Sequence, residues 1–156
     1  MTERDDPWLI DAIWRAADLT RAYLVQDRIQ VATCLTGLDT TRLERVLTWL
    51  ILEHDALFDA LGEPSMSVRE LDAAAALAPL ETELAMMTAV RRVATKEMGL
   101  TGAVEGLAPL DRVHAIAICT AVMLLEARGR TTALEQLDAE TVRYQQMGYP
   151  RPYTIT

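Results

Sequence analysis

The chain predicts an all-α fold: a single compact bundle of about six helices (five to seven) followed by an extended C-terminal tail. Three observations carry that expectation. Apolar residues recur at helical steps of three and four along most of the chain. Three segments place a glutamate three residues after a hydroxyl side chain, Thr41 with Glu44, Ser67 with Glu70 and Thr132 with Glu135, which is the capping-box spacing ahead of an apolar run. Aromatics (5%), Gly (7) and Pro (6) are sparse, which favours helices over strands. The expected organisation is one helical domain over residues 1–148 and a tail over residues 149–156.

The first helix opens with Asp6 as N-cap and Pro7 at its first position, where the missing N–H costs nothing. Trp8, Ile10, Ile13, Trp14 and Ala17 form its apolar face. The pattern extends to Cys34 as one kinked helix or two short ones, with a kink expected at Asp18 to Thr20 and a stop at Gly37. From the Thr41 box, Leu43, Leu47, Leu50, His54, Leu57 and Leu61 follow at alternating steps of four and three, and Gly62 ends the run. Ser67 starts a short helix through Ala73 to Ala76. Pro79 starts another that reaches about Met98, with Glu81 and Glu83 in its first turn.

The stretch "GLTGAVEGLAP" reads as a Gly-punctuated connector with room for a single turn. Pro109 then begins the most apolar helix, hydrophobic nearly all round and therefore central, which closes at Arg128 and Gly129. A last helix, boxed at Thr132, closes at Gly148. No internal repeat of 20 to 50 residues is visible.

A chain of 156 residues can bury most of its apolar side chains without a disulfide or metal staple. Its net charge of −8 argues against a phosphate-neutralising surface, since nucleic-acid binding rests on clustered Lys and Arg and the only adjacent basic pair here is Arg91 and Arg92. The acidic start "MTERDD" lacks the apolar segment of a secretory signal. The longest uncharged run, Val113 to Leu125, is too short to cross a bilayer. These features predict a cytoplasmic chain with no membrane partner. Cys34 and Cys119 lie inside apolar helical stretches, where free cysteine behaves as a small hydrophobe.

Few groupings carry chemistry. His54 and His114, the only histidines, fall within apolar helix patterns, and Asp111 shares a face with His114. That invites a bundle-core metal site, but neither histidine follows a glutamate at the spacing that di-metal bundles use, so no metal or cofactor is expected. The doublet of His54 and Asp55 lacks the further histidines of a helical phosphohydrolase. Glu135 and Asp138 have the Glu-x-x-Asp spacing of helical nucleotide pyrophosphatases without a Glu-x-x-Glu partner upstream. No nucleophile elbow or phosphate loop is present. A helix-turn-helix over "ATKEMGLTGAVEGLAP" would need a recognition helix that contains Gly102 and Gly106 and carries Glu105 where a base-reading side chain belongs.

Pro150 and Pro152 forbid helix in the tail, and Tyr153 to Thr156 has high β-propensity. The tail is either a strap over its own domain, burying Tyr149 and Ile155, or an extended segment that docks on a second chain through Tyr149, Arg151, Tyr153 and Ile155. Trp49 stands beside the apolar seam of its helix, at a core edge or an interface. The function expected on this basis is a non-catalytic interaction or assembly module, self-associating as a homodimer or larger. A small-molecule- or metal-binding bundle is the alternative and a DNA-associated regulator the weaker one.

Overall fold

The computed structural model describes residues 7–62, 66–79, 82, 90, 92–93, 100–149 and 151. Among these the chain is all-helical. Seven helices can be delimited: α1 (Pro7–Leu24), α2 (Arg28–Thr33), α3 (Thr40–Ala60), α4 (Val68–Ala75), α5 (Leu100–Val104), α6 (Pro109–Arg128) and α7 (Arg130–Gln146). As its composition requires, α6 is central and packs against α1, α3, α4, α5 and α7. Every residue from Val113 to Leu124 is buried, because a helix that is apolar on all sides must be covered on all sides. The single turn expected in the Gly-rich connector is α5. Of the helix expected from Pro79 to Met98, Val90, Arg92 and Val93 are helical and the rest lies outside the described residues, as does the Asp6 cap.

A second helix shares the centre. α1 packs against α2, α3, α6 and α7, and its residues from Asp11 to Thr20 are all buried, including three charged ones. It continues unbroken through Asp18 to Thr20, where a kink is expected from the sequence. The break comes later, at Gln26. The amide of Gln26 donates to the Tyr23 carbonyl and that of Asp27 to the Ala22 carbonyl, the paired bonds of a Schellman ending. That motif requires a left-handed residue, here Gln26 with φ 59°. The Asp27 carboxylate then accepts from the Gln30 amide at 3.1 Å and caps α2.

Caps account for the other shifted boundaries. α3 is capped by Asp39, whose carboxylate accepts from the Arg42 amide at 2.9 Å, two residues before the expected Thr41. An anionic acceptor at a helix N-terminus also meets the positive end of the helix dipole. Ser67 caps α4 as expected, accepting from the Glu70 amide. The return bond comes from elsewhere: the Ser67 amide donates to Glu126 of α6 at 2.7 Å. The Thr132 box is unused, because α6 and α7 are joined by Gly129 alone (φ 79°, ψ 160°) and α7 has begun by Arg130.

Replacing Gln26 by glycine removes the steric cost of a Cβ in the left-handed region, about 1 kcal/mol. The Gln26→Gly variant is therefore expected to raise the urea midpoint without changing the slope of the unfolding transition, and an unchanged or lowered midpoint would contradict this account of the break.

Candidate ligand-binding cavity

The central helices leave a cavity, open to solvent beside Ala56 and Ala60, where small side chains coincide. Ala56, Leu57 and Ala60 line it from α3 together with Glu53, at positions that share one helical face. Gln136, Leu137 and Glu140 do so from α7, Thr120 and Leu124 from α6, and Thr20 from α1. Its volume is about 270 Å³. The two threonine hydroxyls already donate within their own helices, Thr20 to the Ala16 carbonyl at 3.0 Å and Thr120 to the Ile116 carbonyl at 2.8 Å. The polar character of the lining is therefore concentrated in Glu53, Glu140 and Gln136.

The two carboxyl groups are partly buried where they line this space. Burial raises Glu53, and the charge of Glu140 raises it further, to about 7 from the ordinary 4.5. The Tyr144 hydroxyl, one helical turn beyond Glu140, donates to Glu53 Oε1 at 3.4 Å. The Trp49 indole N–H, one turn before Glu53, lies close enough to favour the carboxylate but forms no well-shaped hydrogen bond. Burial also raises Glu140, against the opposing charge of Arg143. The Tyr144 phenol is raised by burial and by Glu53, so it remains a donor.

The histidines that suggested a metal site have other surroundings. His114 Nδ1 and the Tyr23 hydroxyl share a hydrogen bond of 2.7 Å. Burial keeps the imidazole neutral, lowering it to about 4, and keeps the phenol protonated, so Tyr23 donates to the ring. His54 stacks on Phe58 with ring centroids 5.9 Å apart, and its Nδ1 lies 3.2 Å from Asp55. Burial lowers His54 despite that carboxylate. Asp111 is partly buried in the first turn of α6. Among the described residues no three His, Cys, Asp or Glu side chains converge as a metal-ligand set. Cys34 and Cys119 are free, buried thiols, both pushed up to about 12 by burial.

The tail returns to α1. Gly148 ends α7 in a second Schellman motif, with its amide bonded to the Gln145 carbonyl and that of Tyr149 to the Tyr144 carbonyl. The Trp14 indole then donates to the Tyr149 carbonyl at 2.9 Å. Arg151 pairs with the buried carboxylate of Asp18 and lies over the Trp14 ring, 4.5 Å from its centroid. Trp14 meets Tyr144 edge to face at 5.8 Å. The Tyr149 carbonyl and the Arg151 side chain thus both contact α1 of their own chain. Tyr153 and Ile155 lie outside the described residues. Trp49 packs at the edge of the core.

No sequence motif singles out Glu53, Glu140 or Tyr144. The spacing of Glu140 and Tyr144 on one helical face was readable, but their approach to Glu53 depends on how α3 and α7 are placed. Neither protein-family models, nor curated proteins, nor solved structures match the chain. The chemistry of the cavity is therefore argued from its own residues.

Two substitutions probe these contacts. Because the folded-state pKa of Glu53 lies above its ordinary value, the unfolded chain loses this proton first. The stability associated with the neutral carboxyl is full below about pH 4.5 and is lost as the pH rises through about 7. Glu53→Gln is expected to stabilise the protein relative to the parent at pH 8 by on the order of 2 kcal/mol and far less at pH 4, read from paired urea titrations. Arg151→Ala withdraws a cation from the buried Asp18 and is expected to cost about 1–2 kcal/mol at neutral pH, with a measurable change in tryptophan fluorescence as the Trp14 ring loses its cover.

Proposed function

We propose that this protein is a non-catalytic binding bundle that takes a small organic molecule into the cavity between α1, α3, α6 and α7. The observation that carries the reading is the coincidence of about 270 Å³ of mainly apolar space with convergent polar groups, one of them strongly perturbed. An apolar cavity of about 150 Å³ already admits benzene, so a six-membered ring with a substituent is within reach of this one.

Association with a protein partner or a second copy has less support. Of the four tail residues expected to dock on another chain, Arg151 pairs with Asp18 and the Tyr149 carbonyl accepts from Trp14 of the same chain. The exposed large apolar side chains, such as Ile29, Leu52 and Val142, come from separate helices. A nucleic-acid partner has no support beyond the sequence features already weighed. No helix among the described residues is long and apolar enough to cross a membrane.

The cavity reading is tested by filling it. Ala56 is an exposed small residue on the rim, so Ala56→Phe adds bulk without displacing a buried side chain. Wild-type protein is expected to bind cyclohexyl probes, detected as a rise in melting temperature and by calorimetric titration, and Ala56→Phe is expected to lose that response while retaining its circular dichroism spectrum. Equal probe binding by both proteins would place the binding elsewhere and overturn the proposal.

A further inference from the structure

Resting on the cavity reading, we infer that the ligand is an organic cation, a protonated amine carried on a compact apolar body. The lining sets two carboxyl groups, Glu53 from α3 and Glu140 from α7, on opposite helices around otherwise apolar or neutral side chains. No Lys, Arg or His is among the described lining residues. The donors beside Glu53 are the Tyr144 phenol, at 3.4 Å, and the Trp49 indole N–H, and both are neutral. Among the described residues, the basic group that acts on the pair is Arg143, an exposed residue beside Glu140.

Ligand classes separate on this arrangement. An anion would meet like charge beside these partly buried carboxyls, which is disfavoured. A neutral apolar molecule would fill the volume but leave two partly buried carboxyls repelling one another. A hard divalent ion requires six or more oxygen ligands, and the described residues hold no group of three metal-ligating side chains here. An ammonium presents a charge and three donors to the carboxyls, while its hydrocarbon part covers Leu57, Leu124 and Leu137.

The experiment is calorimetric titration of the full chain at pH 8 with three probes of one shape: cyclohexylamine, cyclohexanol and cyclohexanecarboxylate. The amine is expected to bind about tenfold more tightly than the alcohol, with the carboxylate weakest. In a Glu53→Gln, Glu140→Gln double variant the preference for the amine over the alcohol is expected to vanish. If the alcohol or the carboxylate binds wild-type protein as tightly as the amine, the cavity reading stands and the cation inference falls. If none of the three binds, both fall together.

Discussion

The fold turns on the need to neutralise charges that α1 carries into the interior. Asp11, Arg15 and Asp18 lie on a helix that is covered on every side, and an uncompensated buried charge costs several kcal/mol. Each is answered by a different part of the chain. Asp11 receives the Arg15 Nε at 2.9 Å and the Arg42 guanidinium of α3 at 2.9 Å. Arg15 also donates to the Cys34 carbonyl at the end of α2 at 2.6 Å. Asp18 draws back the tail through Arg151. The central helix therefore specifies, through its charges, where α2, α3 and the C-terminal strap must lie.

That arrangement has a consequence for the cavity. α1 and α6 fill the centre, so α3 and α7 must pack around them, and small residues at positions 20, 56, 60 and 120 leave space between the four helices. Two carboxylates enter that space from opposite helices. Their partial burial raises Glu53 and Glu140 and costs free energy whenever they ionise. The cavity is thus locally at odds with the hydrophobic logic of the bundle, which is the pattern expected of a functional site.

Much of the architecture was legible along the chain. Periodicity and the apolar run from Val113 to Leu125 point to helices and to the centrality of α6, and Gly129 and Gly148 mark real ends. Capping motifs were less dependable. Ser67 caps its helix but takes its reciprocal bond from Glu126, Thr41 yields to Asp39, and Thr132 is not a cap at all. A box is a local pattern, and whether it forms depends on which competing acceptor reaches the same amides. The break after α1 was misplaced because Gln26, an ordinary residue, holds the left-handed conformation that glycine usually marks.

The sequence by itself determined that this protein is helical, where its most apolar helix lies and that its last residues leave the helix. Helical periodicity, proline and glycine act within a few residues of chain, so their effects can be read without knowing the fold. Only the tertiary structure decided that α1 is as buried as α6, that Arg151 answers Asp18 across 133 positions, and that Glu53 shares a cavity with Glu140. Those relations follow from packing, and packing depends on the summed shapes of whole helix faces rather than on any one stretch of sequence.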